Sequence, residues 1–495
     1  MLFNSYVFIF LFLPATLAGY LWLARTSHGY AAAWLAVASL LFYGYWNPAY
    51  IGLLLGSIAF NYTFGLWIAR AHYSHAHASN ISREKILLIT AIAANLILLG
   101  YYKYANFFIS NVNNITGAHW NIGEIILPLG ISFFTFTQIA FLVDTFQGKV
   151  KEYRFVHYVL FVTYFPHLLA GPVLHHQEMM PQFNNPKTYR LDWNNLASGL
   201  LLFTLGLGKK TLLADSFAPY ANAVFDSAQH GNLLTTYEAW AGALAYSMQI
   251  YFDFSGYTDM ALGIALMFNI RLPANFNSPY RATSIIEFWR RWHMTLSRYL
   301  RDYLYIPLGG NRRGKFRRYL NLWLTMLLGG LWHGAGWTFI LWGAVHGLYL
   351  TLNHIWREHC SPHINFSLPT SLDSLLKGLL TFVAVVTAWV IFRAHDLASC
   401  ASILSAMYHI NALPISFFDV THGHLLPSSN LSGAPLAKLT LLSLLWVWLL
   451  PGTEKLRLAP GNAALTAVQA IAVSFFLCLA IDQFGSYSPF LYFQF

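Results

Sequence analysis

The chain has 495 residues, 57% of them hydrophobic and 10% charged, against about 25% charged in soluble domains. So few charges cannot clothe a water-soluble globule of this size, and the sequence reads as an all-α multispanning membrane protein. The formal net charge of +10 is concentrated: residues 290–318 carry nine of the 29 Lys and Arg, opposed there by Asp302. That pattern marks a cytoplasmic, lipid-facing segment and not a nucleic-acid surface.

Apolar runs near 5–23, 31–47, 49–69, 86–109, 125–143, 155–175, 195–214, 237–253, 256–270, 319–356, 375–394, 436–451 and 462–482 predict roughly a dozen spans. The first reads as a span and not a cleaved leader, because Met1-Leu-Phe-Asn-Ser-Tyr lacks a basic region and the apolar stretch continues past Thr16-Leu17-Ala18. Polar stretches at 70–85, 108–124, 176–193, 222–235, 271–318, 357–374 and 410–435 read as loops, each too short for a soluble domain. The whole of 1–495 is therefore expected to be one integral-membrane domain, with a motif-bearing core at about 86–356 and C-terminal helices over 375–495. No matching halves with interrupted helices are visible, which argues against many transporter architectures.

In the first loop, His72-Tyr-Ser-His75-Ala-His77 has no evident carboxylate partner and His-Glu-x-x-His is absent, so no metal site is expected. His175 and His176, after Ala170-Gly171-Pro172, fit either a re-entrant turn or a helix end. Tyr251-Phe-Asp253-Phe-Ser-Gly-Tyr-Thr-Asp259 suggests a break between two apolar runs, with both carboxylates needing arginine or hydroxyl partners in a structural role. Cys360, Cys400 and Cys478 match no metal or redox spacing.

The longest polar stretch predicts an amphipathic helix over 288–304, lying in the membrane interface. Phe288, Trp289, Trp292, Leu296, Tyr299, Leu300 and Tyr303 share one side of it, Arg290, Arg291, Arg298 and Arg301 another, and His293 falls at the border. The arginines suit bidentate contact with the phosphates of a charged donor. No Walker-type glycine loop is present, which argues against nucleotide hydrolysis.

His333 then stands in an apolar run of bilayer length, Met326-Leu-Leu-Gly-Gly-Leu-Trp-His-Gly-Ala-Gly-Trp-Thr-Phe-Ile-Leu-Trp-Gly-Ala-Val-His346-Gly. An imidazole within a membrane is a functional candidate, and histidine is the side chain best suited to general-base work near neutral pH. The flanking glycines admit close approach of a ligand or a second backbone. On one unbroken helix His346 would lie about 220° around the axis from His333, and it reads as structural.

The sequence Glu287-Phe-Trp-Arg-Arg-Trp-His293-Met-Thr-Leu-Ser, followed by Leu300-Arg-Asp-Tyr-Leu-Tyr-Ile-Pro-Leu-Gly-Gly-Asn-Arg and Leu328-Gly-Gly-Leu-Trp-His333-Gly, resembles the bacterial membrane-bound O-acyltransferases, most of all their alginate O-acetyltransferase branch. The resemblance extends to Gly100-Tyr-Tyr-Lys-Tyr-Ala-Asn-Phe, Leu127-Pro-Leu-Gly-Ile-Ser-Phe, Phe165-Pro-His-Leu-Leu-Ala-Gly-Pro-Val, Lys209-Lys210 with Ala214-Asp215, Phe252-Asp-Phe-Ser-Gly-Tyr and Trp389-Val-Ile-Phe-Arg-Ala. It implies a helical assembly with interfacial and re-entrant helices around a central tunnel, in a bacterial inner membrane. It makes His333 the essential histidine and His293 a second recurring polar residue, which other branches fill with asparagine. It further implies acetyl transfer from a cytoplasmic donor, acetyl-CoA, with no bound cofactor. The acceptor would be an exported polysaccharide, alginate first, with peptidoglycan or cellulose as alternatives, and a periplasmic SGNH-type acetyltransferase the implied partner. A lipid or polysaccharide transporter, with His333 relaying protons, is the rival from another class, and a non-catalytic scaffold is a third.

Overall fold

The computed structural model describes residues 1–74, 83–169, 171–361, 369–410, 424–426, 429–453, 463–483, 490 and 491. The helices are α1 (Leu13–Ala24), α2 (His28–Gly44), α3 (Ala49–Ser74), α4 (Arg83–Thr116), α5 (Ile131–Phe146), α6 (Phe155–Thr163), α7 (Phe165–Leu168), α8 (His176–Asn184), α9 (Trp193–Gly208), α10 (Asp215–Gln229) and α11 (Thr236–Met267). There follow α12 (Ile285–Trp289), α13 (Met294–Leu300), α14 (Lys315–His333), α15 (Trp337–Ile355), α16 (Thr370–Arg393), α17 (Leu397–Met407), α18 (Gly433–Leu449) and α19 (Ala463–Asp482). The one departure from a helical fold among the described residues is a short antiparallel hairpin of β1 (His424–Leu426) and β2 (Ser429–Ser432).

Among the described residues, four helical stretches are long and apolar enough to cross a bilayer: Ala49–His72, Arg83–Thr116, Trp193–Gln229 and Thr370–Arg393, with shorter apolar helices besides. Several runs that read as single spans are built differently. The run over 155–175 divides into α6 and α7, with Pro166 in the first turn of α7, a place where proline is tolerated. The run over 319–356 is two helices, α14 and α15. The expected break near Tyr251–Asp259 is absent, because α11 runs through it unbroken. α4 likewise continues through the expected loop at 108 as far as Thr116.

The chain forms two compact units. The first comprises Met1–Leu207, Tyr257–Ala274 and Arg457–Gly485. There α3, α4, α5 and α6 are stitched by buried amides. Asn61 and Asn95 exchange hydrogen bonds at 3.1 and 2.6 Å, Gln138 donates to Ser57 Oγ at 2.9 Å, and the Tyr158 hydroxyl donates to Gln138 Oε1 at 3.2 Å. Helices in lipid gain little from apolar contact alone, so such polar pairs fix their register.

The second unit comprises Gly208–Gly256, Asn275–Leu456 and Ser486–Phe495. Its core is aromatic, with Phe288, Trp289, Trp292, Trp342, Trp389 and Phe392 all buried. A π-helical turn at Lys209–Ala214 leads into α10 and carries Lys210, whose Nζ lies 2.8 Å from Asp215 Oδ1 and 2.7 Å from Asp253 Oδ1. Asp253 Oδ2 also accepts from the Leu491 N–H at 3.1 Å. A carboxylate buried mid-helix is thereby compensated by a lysine and a backbone amide, where arginine or hydroxyl partners had been expected.

Candidate active site

α14 and α15 form a tight antiparallel hairpin, and glycines set its spacing. A Cβ on Gly330 would lie 2.3 Å from the Phe339 carbonyl oxygen, and one on Gly343 would lie 2.4 Å from that of Met326. In the connection Gly334-Ala-Gly336 both glycines are extended, and a side chain on Gly334 would strike the Phe339 ring at 2.2 Å. His333 is therefore the last residue of α14 and not the middle of a span. Its ring is buried, 7% exposed, and meets three aromatic edges: Trp332 at 5.0 Å, Trp342 at 5.2 Å and Phe392 at 5.3 Å between centroids.

The amphipathic segment over 288–304 is broken at His293, which adopts a left-handed backbone with φ 44° and ψ 53°. Non-glycine residues take this conformation only when neighbours over-determine it, and here Asn275 does so. Its Oδ1 accepts from the Thr295 N–H at 3.3 Å and the Thr295 hydroxyl at 2.9 Å, and its carbonyl oxygen accepts from the Met294 N–H at 2.9 Å. The same Oδ1 lies 3.0 Å from His293 Nδ1. Since a backbone N–H already identifies that oxygen as an acceptor, Nδ1 carries the proton and Nε2 the ring's lone pair. The division of faces largely holds: Phe288, Trp289, Trp292, Leu296, Tyr299 and Leu300 are buried and Arg290 and Arg301 exposed, while Tyr303 of the apolar side is only half-buried, as are Arg291 and Arg298. His293 sits inside, 1% exposed, and not at the border. Its ring meets Phe254 edge-on at 4.8 Å and Trp332 at 6.5 Å, so one indole touches both candidate imidazoles.

Residues 144–392, half of the chain, match the membrane-bound O-acyltransferase family model. The chain belongs to that family. It is similar to a peptidoglycan O-acetyltransferase of Helicobacter pylori, 40% identical with all of this chain and 98% of the relative covered. It is similar to a probable alginate O-acetylase of Pseudomonas aeruginosa, 42% identical over 84% of this chain and 76% of the relative. A teichoic acid D-alanyltransferase of Bacillus subtilis is 29% identical over 46% of this chain and 60% of the relative. The protein is thus a membrane-bound acyltransferase, and both candidate histidines lie within the matched segment.

Around the two histidines of this acyltransferase, the remaining candidates separate. His346 is fully buried on α15 and its Nδ1 accepts from Trp289 Nε1 at 3.2 Å, which ties α12 to the hairpin. Arg291 is held by Glu287 at 2.7 and 3.0 Å and donates to the Asn277 carbonyl at 3.1 Å. Burial works against the Glu287 carboxylate, but hydrogen bonds from Thr283 and Arg291 outweigh it and hold the group below its ordinary pKa. Arg301 pairs with its neighbour Asp302 at 2.7 Å. Beyond them residues 311–317, with Arg312, Arg313, Lys315 and Arg317, are exposed throughout.

Other sequence readings resolve away from this site. His72 does have a carboxylate partner, since Glu84 at the start of α4 lies 3.0 Å from its Nδ1, while His75 and His77 lie outside the described residues. His175 caps α8 and His176 opens it, with His176 Nδ1 2.9 Å from Asp144 Oδ2, the helix-end alternative. Ala170 lies outside the described residues. Asn275 was missed altogether. Its fully buried Nδ2 has no hydrogen-bond partner among the described residues, a donor beside His293 that no local pattern in Pro273-Ala-Asn-Phe-Asn277 announces.

Proposed function

We propose that the protein transfers an acetyl group from a cytoplasmic thioester, acetyl-CoA, to a hydroxyl of an exported polysaccharide at a bacterial inner membrane. His333 acts as general base. It takes the acceptor's hydroxyl proton as that oxygen bonds to the thioester carbonyl carbon, the carbon–sulfur bond breaks, and the imidazolium returns its proton to the departing thiolate. The observation that carries the reading is the seating of His333 within the family-matched segment, at a helix terminus and in ring contact with the indole that also meets His293. His293, with Nδ1 turned to Asn275, offers a lone pair at Nε2, which suits orienting a hydroxyl better than donating to an oxyanion. The Asn275 Nδ2 donor suits the carbonyl oxygen.

The exposed arginines and lysine at 312–317, together with the exposed Arg290, would attract the donor's phosphates, whereas Arg291 and Arg301 already hold carboxylates. A passage open to both faces and roughly a dozen spans remain part of the proposal. The relatives' names divide between alginate and peptidoglycan, and matches of full length exist to both kinds. Alginate stays first on motif resemblance, with the acetyl group handed on directly or through a periplasmic SGNH-type partner. The test is purified protein given acetyl-CoA and acceptor. Free thiol should appear with wild type and fall about 10² to 10⁴-fold with His333→Ala at unchanged expression. Undiminished thiol release by His333→Ala rejects the role, and a transporter predicts no release from either protein.

A further inference from the structure

We infer that the outward end of α4 forms a carbohydrate-binding pocket for an uncharged segment of glycan, a reading that rests on the proposed polysaccharide acceptor for its biological meaning. α4 has 34 residues, about 50 Å at 1.5 Å per residue, against a hydrocarbon core of about 30 Å. Its surplus is polar: Asn106, Ser110, Asn113 and Asn114 fall at helical spacing on one face of its last turns.

The chain then folds back onto that face. Gly117, with φ 70°, donates its N–H to the Asn113 carbonyl at 2.8 Å. The Asn113 side chain clamps Trp120 from both sides, donating to its carbonyl at 2.8 Å and accepting from its N–H at 3.0 Å. Gly123, with φ 75°, is tied to Asn121 Oδ1 at 2.8 Å. Between helix and loop lies a pocket of about 290 Å³, lined by Asn106, Ser110, Asn113, Asn114, Asn121 and Trp120 and by no charged side chain. Trp120 is 62% exposed.

The chemistry fits sugar. Amides present a donor and an acceptor together, as vicinal hydroxyls require, and an indole face stacks on the C–H face of a pyranose. The Ser110 hydroxyl, the Asn114 side-chain amide and Asn121 Nδ2 make no hydrogen bond among the described residues, so these groups remain for a ligand. Orientation agrees. Arg70, Arg83 and Lys85 flank the start of α4, while no Lys or Arg occurs between Lys103 and Lys149, which places the pocket on the non-cytoplasmic face. A polyuronate would meet no cation here, so this pocket reverses the motif-based order of acceptors and favours the amino-sugar alternative, peptidoglycan, over alginate.

The experiment titrates the full-length protein in detergent with chitotetraose and, separately, with a mannuronate tetramer, followed by saturation-transfer NMR. Chitotetraose should bind at least about tenfold more tightly than the mannuronate tetramer. Trp120→Ala should weaken it about tenfold and Asn114→Ala about threefold, with thermal midpoints unchanged. His333→Ala should bind it as wild type does. No binding by folded wild type, binding indifferent to Trp120→Ala, or a preference for mannuronate overturns the inference. If instead His333→Ala keeps both binding and acetyl transfer, the catalytic proposal fails while the pocket stands.

Discussion

Gly330→Ala places a methyl carbon 2.3 Å from the Phe339 carbonyl oxygen and 3.0 Å from Gly343 Cα. Ordinary contact begins near about 3.4 Å, so α14 and α15 must part by about 1 Å one turn before His333. Two effects oppose each other. Alanine favours the helix by up to about 1 kcal/mol, while overpacking costs about 1–3 kcal/mol. The second wins, because the atom encountered is a backbone carbonyl and has no rotamer with which to yield. A base displaced by about 1 Å loses about 10²-fold in rate. The assay is base-released acetate from envelope glycan in cells, normalised to membrane protein level, beside the thermal midpoint of purified protein. Gly378→Ala on α16, where an added Cβ meets nothing within 4 Å, is the control and should leave acetylation unchanged and the midpoint equal or slightly raised. Gly330→Ala with full acetylation and an undisturbed midpoint would refute the argument that hairpin spacing positions the imidazole.

Asn275→Ala strips Thr295 and His293 of a buried acceptor and should cost about 2 kcal/mol, with acetylation falling more steeply than stability; equal losses would reduce Asn275 to a structural role. Lys210→Met leaves Asp253 buried and uncompensated, a destabilisation of about 3–5 kcal/mol that adding Asp253→Asn should largely reverse, as read from thermal midpoints; failure to recover would show that the pair is not the relevant interaction. At the start of α17, the Ser399 N–H at 2.7 Å holds the Asp396 carboxylate below its ordinary pKa. A depressed carboxylate contributes stability above its unfolded value of about 3.9, lost as pH falls through the lower folded value. Hydrogen exchange at Ser399 and Cys400 should therefore accelerate, relative to its intrinsic rate, only in acid, and Asp396→Ala, costing about 1 kcal/mol, should remove that pH dependence.

The sequence exposed whatever depends on local composition and period. The helical membrane character, the basic stretch before α14, the face separation over 288–304 and the candidacy of His333 all rest on neighbours along the chain. Hidden were the features that depend on distant partners. Nothing near His293 announces a left-handed turn, because the group that imposes it is Asn275. Asp253 and Asp259 suggest a helix break, but α11 continues through both, with Asp253 held by the distant Lys210. The extended glycines at 334 and 336 are equally at home inside a transmembrane helix by composition, and the close approach of Phe339 decides otherwise. His72 looked isolated because Glu84 meets it only through helix pairing.

Trp332 touches the imidazole beside it in the chain and the one contributed by the interrupted segment. Replacing the indole therefore disturbs both rings at once. Substitutions at these three positions should accordingly be non-additive. A lineage that resizes this side chain to admit a bulkier acyl group must retune both histidines together.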